Sequence, residues 1–167
     1  MNNKVYLIPG RDEKLSGFLG DKISHMGFDV YGREILPPFS RLQFSEQLKI
    51  IKNDLKSLFW YQNAKLVGYS YSSYLLLHSL AELEPFPGKI LLLSPVLDAA
   101  MSKDKVYLSC PLRAKKLLQF TKNGEFLSPG YLELHTGLED NGCDPDLAKR
   151  ICSLISNYRL VLPFYKS

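Results

Sequence analysis

The sequence lacks the features of a membrane or secreted protein. No apolar run approaches the roughly 18 residues that a membrane-spanning helix needs. The first residues lead directly into a predicted strand, without the apolar region of a signal peptide. We therefore expect a soluble, cytoplasmic protein with no membrane partner.

Cysteine and histidine are both scarce, with 3 residues of each in a chain of 167. Cys110, Cys143 and Cys152 have no Cys-x-x-Cys spacing, and no pair of histidines lies near them. This pattern indicates reduced, structural thiols and predicts no zinc site. We expect neither a metal ion nor a cofactor.

Motifs that bind nucleic acids or nucleotides are also missing. The net charge is only +4, and the small basic clusters at residues 113–116 and 149–150 are typical of solvated helix faces. The loop after the first predicted strand reads Pro-Gly-Arg-Asp-Glu-Lys, which has neither the Gly-x-Gly-x-x-Gly fingerprint nor a Walker lysine. We therefore expect no nucleic-acid partner, and a nucleotide-binding domain is disfavoured.

What the sequence does contain is a regular alternation of strand and helix patterns. Its composition, 46% hydrophobic and 23% charged, suits one compact domain. Short apolar runs predict strands at residues 5–8, 28–35, 65–69, 90–94, 131–136 and 158–162. Apolar residues at helical spacing predict helices at residues 15–26, 48–60 and 112–120, directly after residue 70, and from Asp144 onward. The alternation predicts a three-layer α/β fold over residues 1–167, with a mostly parallel sheet of about six strands and helices on both faces.

One strand-to-helix junction has the composition of a nucleophile elbow. Residues 65–73 read Lys-Leu-Val-Gly-Tyr-Ser-Tyr-Ser-Ser, which places Ser70 between an apolar strand and an apolar helix. The residues two before and two after the serine must be small, because strand and helix nearly touch there; here they are Gly68 and Ser72. Ser70 is therefore the candidate nucleophile. In this pattern the chain resembles the α/β-hydrolase family, which usually has a second glycine where Ser72 stands.

The resemblance implies an oxyanion hole and a substrate cleft at the same sheet edge. Gly10 and Arg11 stand where the family commonly has a His-Gly pair, so the amides of Arg11 and Tyr71 are the expected oxyanion donors. The stretch at residues 95–129 is too short for a large lid, and we expect an open cleft. Three aromatic residues are predicted to line it: Phe39, Tyr69 and Tyr71.

The resemblance also implies a catalytic acid. Residues 135–145 look like the family's strand-end Gly-x-x-Asp segment, with Gly137 at the turn and Asp140 in the place of the carboxylate that orients the histidine. Asp98, after the fourth predicted strand, is the second choice.

The family's general base, a histidine just past the last strand, has no counterpart in this sequence. After Pro163 the chain reads Phe-Tyr-Lys-Ser. His25 and His78 fall late in predicted helices that run back toward the opposite sheet edge, and we interpret them as packing or surface residues. His135, at the carboxyl end of the fifth predicted strand, is the candidate base, and Lys166 is the second choice.

Two functions follow from this resemblance. The first is a small serine hydrolase of esterase or thioesterase type, acting on a small-molecule ester or acyl substrate through Ser70 and Asp140. The second is a hydrolase-fold protein that has lost catalysis and binds a small acyl ligand or a protein partner. The second accounts for the missing histidine, since removing it from a serine-protease triad costs about 10⁶ in kcat. The sequence leaves the oligomeric state open.

Overall fold

The computed structural model describes residues 2–97, 117–138 and 144–163, together with the backbone of residues 101–102 and 105–106. Strands and helices alternate along this length. The strands are β1 (Lys4–Ile8), β2 (Asp29–Gly32), β3 (Lys65–Tyr69), β4 (Lys89–Leu93), β5 (Met101–Ser102), β6 (Lys105–Val106), β7 (Tyr131–His135) and β8 (Tyr158–Val161). The α-helices are α1 (Phe18–His25), α2 (Phe44–Asp54), α3 (Tyr71–Leu80), α4 (Leu117–Lys122) and α5 (Pro145–Cys152), with a 3-10 turn at Phe39–Arg41 and a π-turn at Leu55–Phe59.

Six of the strands form one sheet in the order β2-β1-β3-β4-β7-β8. Every neighbouring pair in it is parallel, whereas β5 and β6 form a separate antiparallel pair. Parallel neighbours require crossover connections, and each crossover of this sheet contains a helix. The predicted α/β fold with a parallel sheet of about six strands is confirmed. All six strands end at the same edge of the sheet.

Helices cover both faces of the sheet, as predicted, but unequally. On one face, residues of α2, α3, α4 and α5 pack against strand side chains such as Tyr6, Leu66 and Leu92 in one large core cluster. On the other face, which we call the α1 face, a smaller cluster forms around Val5 and Val67, and among the described helices only α1 packs on it. The described helices therefore cover more of one sheet face than of the other.

The capping residues of α5 and α2 explain where these two helices begin. α5 begins as predicted, with Pro145 in the first turn and the Asp144 carboxylate accepting the Asp146 amide at 2.9 Å. α2 begins earlier than predicted, because Gln43 and Glu46 form a capping box there. Within the described part of the chain, no helix is both long and apolar enough to cross a membrane.

Two elements, β2 and α1, are about four residues shorter than the sequence predicts. The strand predicted at residues 28–35 ends at Gly32, where φ is +148° and a Cβ would lie only 1.7 Å from the Leu7 carbonyl oxygen. The first helix begins at Phe18 and not at Leu15, because the Leu15 amide donates to the Glu34 carboxylate at 2.8 Å. In both places a contact between distant parts of the chain overrides the local pattern. The helix predicted at residues 112–120 corresponds to α4, and its first residues lie outside the described part.

Candidate active site

Ser70 occupies the turn between β3 and α3. Its backbone has φ 57° and ψ −126°, a region that residues other than glycine rarely enter and that costs on the order of 1–3 kcal/mol. The Ser70 amide donates to the Leu93 carbonyl at 3.0 Å. The Ser70 carbonyl accepts from the amides of Ser73 at 3.1 Å and Val96 at 3.0 Å. These bonds fix Ser70, half-buried, at the carboxyl edge of the sheet.

The two small residues that flank this turn are tightly enclosed. A Cβ at Gly68 would lie 3.0 Å from the Ser73 Cα and 3.3 Å from its amide nitrogen, so β3 and α3 do approach as closely as an elbow requires. Ser72 is fully buried, and its hydroxyl donates to the Pro9 carbonyl. A serine is accommodated at this position because its hydroxyl has an acceptor on the loop after β1.

The loop after β1 is held by its own residues. The Gly10 amide donates to the Glu13 carboxylate at 3.2 Å, and the Glu13 amide donates to the Gly10 carbonyl at 3.1 Å. A Cβ at Gly10 would lie 3.0 Å from the Tyr69 ring, so only glycine fits without displacing that ring. The Gly10 amide is therefore already bonded within the loop, and the role of the Arg11 amide as an oxyanion donor stays a prediction.

Arg11 and Tyr71, two of the three residues of the predicted oxyanion hole with Gly10, lie together. The Arg11 guanidinium carbon is 5.0 Å from the centroid of the Tyr71 ring, a cation–π distance. Both residues line a cavity of about 440 Å³ between the loop after β1 and the start of α2. Ser40 and Gln47 add polar groups to its wall, and Phe44 adds an apolar one. The cavity is thus a mixed polar and apolar recess beside the Ser70 turn.

Phe39 and Tyr69, the other predicted cleft residues, have different positions. Phe39 is 8% exposed and packs into the large core cluster, and its carbonyl accepts from the Gln47 amide group at 3.0 Å. Tyr69 is the last residue of β3, and its ring packs against Gly10. Neither residue lines the 440 Å³ cavity, and their role in substrate binding stays a prediction.

His135 ends β7 and is bonded within its own strand. Its Nε2 lies 2.6 Å from the Glu133 carboxylate, which also accepts from the Tyr131 hydroxyl at 3.1 Å. Residues two apart share one sheet face, so these three side chains line the same side of β7. The hydrogen bond from His135 lowers the pKa of Glu133 below its ordinary value. β7 stands two strands from β3, a separation of about 10 Å.

The structure therefore assembles only part of the predicted site. Ser70, Tyr71, Gly10 and Arg11 lie around one turn, while His135 faces Glu133. The proposed acid, Asp140, lies outside the described residues, as do Asp98 and Lys166. The catalytic roles of Asp140 and His135 stay predictions.

The other two histidines are packed or exposed, in line with their interpretation from the sequence. His25 is exposed, with its Nδ1 2.8 Å from the Asp21 carbonyl oxygen. His78 is 4% exposed and packs between aromatic rings, with the Tyr74 ring 4.1 Å away and Phe120 at 5.4 Å. Its Nε2 has no hydrogen-bond partner among the described residues. Burial lowers the pKa of His78 to about 4.

Two carboxylates in or near the site were not predicted from the sequence. Glu13 fixes the loop that carries Gly10. Because Glu13 is only three residues from this glycine, their contact could have been predicted from the sequence. Glu133 binds His135, which becomes evident only once β7 is known to place both on one face. Within the described ranges, no group of three histidine, cysteine, aspartate or glutamate side chains is arranged to hold a metal ion.

Comparison with known proteins adds information on the fold. No protein-family model and no curated sequence matches this chain. A lipase-esterase related protein from Clostridium acetobutylicum superposes with a TM-score of 0.67 at 11% identity, over 99% of this chain and 86% of that one. The ydeN gene product of B. subtilis superposes with a TM-score of 0.67 at 15% identity, over 98% and 86%.

A monoacylglycerol lipase from Paleococcus ferrophilus also superposes, with a TM-score of 0.64 at 16% identity, over 96% of this chain and 83% of that one. At such low identity the likeness concerns the path of the chain. The chemistry has to be argued from the residues around Ser70.

Proposed function

The chain has the α/β-hydrolase fold, and on this basis we propose that it is a serine hydrolase that cleaves ester or thioester bonds with Ser70 as its nucleophile. The backbone of Ser70 is the observation that supports this most strongly: φ is 57° in the turn between β3 and α3. A serine that only caps a helix has an extended backbone and accepts an amide of the first turn. Ser70 makes no such cap bond. Its strained turn is explained by a hydroxyl that projects above the sheet edge.

The proposed reaction has two stages. The Ser70 oxygen attacks the substrate carbonyl carbon while a general base takes the hydroxyl proton, and the carbonyl oxygen becomes an oxyanion. The amides of Tyr71 and Arg11 donate to that oxyanion, and each such donor typically contributes about 10²–10³ in kcat. The intermediate collapses, the leaving alcohol or thiol takes the proton, and the acyl group stays on Ser70. Water then attacks this acyl-enzyme and releases the carboxylic acid.

We assign the general base and the acid to the segment that begins at the end of β7. His135 is proposed as the base because it lies at the carboxyl edge of the sheet and because the Glu133 carboxylate, 2.6 Å from its Nε2, fixes the orientation of the ring. Asp140 is proposed as the acid from its place in the loop after β7. Since β7 is about 10 Å from β3, transfer from Ser70 to His135 requires an intervening water or a shift of the ring.

The substrate proposal rests on the cavity beside Ser70. Its volume of about 440 Å³ is within the ordinary range for small-molecule sites. The apolar Phe44 and the polar Arg11 share its wall, which suits a small ester with one apolar and one polar part. Two of the superposed proteins are named as a lipase-esterase related protein and a monoacylglycerol lipase, which favours ester over amide substrates.

A second function is favoured by one observation, the engagement of His135 with Glu133 at 2.6 Å. If that histidine only stabilises β7, Ser70 has no histidine base among the described residues, and we propose in that case a hydrolase-fold binder. It then uses the same cavity to hold a small acyl ligand or a segment of a partner protein.

Labelling with a fluorophosphonate probe tests the nucleophile. We expect covalent modification of the wild-type protein at Ser70, no labelling of Ser70→Ala, and undiminished labelling of Ser40→Ala. Ser40 is the matched control, because it is a serine of the same cavity that lies outside the elbow. Loss of p-nitrophenyl acetate turnover in Ser70→Ala alone completes the assignment.

The opposite result is equally informative. Absence of labelling in a wild-type protein that shows a cooperative unfolding transition removes the hydrolase proposal and favours the binding function. Labelling at Ser40 or at another hydroxyl in place of Ser70 removes the assignment of the nucleophile.

A further inference from the structure

Ser94, the residue directly after β4, has a strained backbone like that of Ser70. Its φ is 42°, in the left-handed region that residues other than glycine rarely enter, at a cost on the order of 1–3 kcal/mol. Ser70, with φ 57°, directly follows the neighbouring strand β3. Strained backbone of this kind is concentrated at catalytic and ligand-binding sites. Two such serines on adjacent strands, at the same sheet edge, point to a function for both.

Ser94 lies between Ser70 and His135. The sheet order places β4 between β3 and β7. Leu93, the last residue of β4, is the register partner of Tyr69 on one side and of His135 on the other. The Ser70 amide donates to the Leu93 carbonyl at 3.0 Å. On the other side, the Ser94 amide donates to the His135 carbonyl at 2.7 Å.

This position divides the distance between the proposed nucleophile and the proposed base into two short steps. The strands that carry Ser70 and His135 are about 10 Å apart, whereas a hydrogen bond spans about 3 Å. Neighbouring strands are only about 4.8 Å apart, and serine and threonine side chains on neighbouring strands do form hydrogen bonds. Ser94 is one strand spacing from Ser70 and one from His135. A hydroxyl at Ser94 can therefore contact both of them.

The Ser94 hydroxyl is available for these contacts. Ser94 is half-buried, and within the described part of the chain its hydroxyl has no hydrogen-bond partner. A hydroxyl both donates and accepts, so it can take a proton from one neighbour while it gives its own to the other. On the receiving side, an ionised carboxylate only accepts. The bond to Glu133 therefore places the hydrogen on Nε2 of His135 and leaves the Nδ1 lone pair to take a proton.

We propose that Ser94 relays the proton of Ser70 to His135, a catalytic role that rests on the proposed function. As the Ser70 oxygen attacks the substrate carbonyl carbon, its O–H bond breaks and the proton passes to the Ser94 oxygen. The O–H bond that Ser94 held breaks in the same step, and its proton forms an N–H bond at His135 Nδ1. When the intermediate collapses, both transfers run in the reverse direction, and the leaving oxygen or sulfur departs with the proton as an alcohol or thiol.

A structural role for Ser94 predicts a different behaviour. If the residue only shapes the turn after β4, glycine serves there at least as well, because glycine adopts φ 42° without steric penalty. Ser94→Gly should then be as reactive as the wild type. If Ser94 is the relay, the same variant should be at least as stable as the wild type but react slowly. Reactivity and stability of Ser94→Gly therefore separate the two roles.

The first experiment measures the rate of fluorophosphonate labelling at Ser70 in single and double variants. Ser94→Gly should label about 10²-fold more slowly or worse, since a positioned acid–base group contributes about 10²–10⁴. His135→Ala should lose a similar factor. Because both variants interrupt one transfer, Ser94→Gly/His135→Ala should be no slower than His135→Ala alone. Ser79→Ala removes a buried hydroxyl within α3 and, as the control, should label at the wild-type rate.

The second experiment counts the protons that move in the labelling step. The labelling rate of the wild type is measured in mixtures of H2O and D2O. The relay moves two protons at once, so the rate should depend non-linearly on the deuterium fraction, whereas direct transfer from Ser70 to His135 moves one proton and gives a straight line. Urea unfolding of Ser94→Gly should show no loss of stability relative to the wild type. A slow reaction is then not a consequence of unfolding.

Three results overturn the relay and leave Ser70 as the nucleophile. The first is labelling of Ser94→Gly at the wild-type rate, the second a double variant in which the two losses multiply, and the third a linear dependence on the deuterium fraction. Unchanged labelling in His135→Ala removes the base and the relay together. Absence of labelling in the folded wild type is a different outcome, since it removes the proposed function itself and the relay with it.

Discussion

The Ser72 hydroxyl donates a hydrogen bond to the Pro9 carbonyl, and so connects the helix behind Ser70 to the loop after β1. Both partners are buried. Gly10 and Arg11 directly follow Pro9, so this bond fixes the spacing between the two segments that supply the proposed oxyanion donors. A buried hydrogen bond elsewhere in the core would not affect the spacing of these two segments.

Ser72→Ala should therefore affect both stability and reactivity. Loss of one buried hydrogen bond is expected to lower the free energy of unfolding by about 0.5–1.5 kcal/mol. Because the loop after β1 is no longer tied to α3, the rate of fluorophosphonate labelling at Ser70 should also fall. Urea unfolding and labelling kinetics measure the two effects.

Ser79→Ala is the matched control for that variant. Ser79 is a buried serine on the same helix, and its hydroxyl donates to the Leu75 carbonyl at 2.7 Å, far from the loop. It should change stability to a similar or smaller extent and leave the labelling rate unaltered. Equal labelling rates in Ser72→Ala and the wild type would refute the proposed coupling.

Gly68→Ala should destabilise the elbow. The new Cβ would lie 3.0 Å from the Ser73 Cα, which is backbone and cannot rotate away, so strand and helix must separate. We expect a loss of about 1–3 kcal/mol in thermal or urea unfolding. Gly137→Ala is the control, because no described residue lies within 4 Å of a Cβ at that position. A tolerated Gly68→Ala would mean that β3 and α3 pack less closely than described.

His78 should make the stability of the protein depend on pH. Its pKa is about 4 in the folded chain and about 6.5 when exposed, so the unfolded chain binds the proton more readily. Above pH 6.5 both states are neutral and His78 has no effect. As the pH falls from about 6.5 to about 4, the free energy of unfolding should decrease, with a slope that approaches 1.4 kcal/mol per pH unit.

Urea unfolding at a series of pH values tests this dependence. His78→Phe preserves the aromatic packing and should remove this part of the slope, while His25→Ala, at an exposed histidine, should not. Identical slopes for the wild type and His78→Phe would show that other groups cause the acid sensitivity.

His135→Ala tests whether His135 is the general base. If His135 is the base, its removal should reduce turnover of p-nitrophenyl acetate by about 10²–10⁴ and shift the pH dependence of labelling. Glu133→Gln should have a smaller effect in the same direction, because the ring keeps a hydrogen-bond acceptor but loses the charge beside it. Unchanged turnover in a folded His135→Ala protein would exclude it from the reaction.

The sequence predicted the fold best where the pattern is local. The strand at residues 65–69 and the helix that starts after Ser70 agree with the structure, because both are nearly continuous apolar runs joined by one tight turn. The start of α5 was also predicted correctly, because Asp144-Pro145 is a local signal for a helix start. β2 and α1 came out shorter than predicted, since their ends are set by contacts with Leu7 and Glu34, which lie elsewhere in the chain.

The site was predictable only in part for the same reason. Ser70 and its small neighbours form a contiguous motif, so residue order alone points to them. The bond between His135 and Glu133 depends on which face of β7 each side chain takes. The aromatic enclosure of His78 depends on α2, α3 and α4 meeting on one layer, and no short stretch of sequence encodes that meeting.

The backbone at Ser70 has one more implication. Glycine adopts positive φ without steric penalty. Ser70→Gly should therefore remove the backbone strain in the turn between β3 and α3 and raise the free energy of unfolding. Serine at this position therefore lowers the free energy of unfolding relative to glycine. A residue that destabilises the fold in this way is better explained as a nucleophile than as a packing residue.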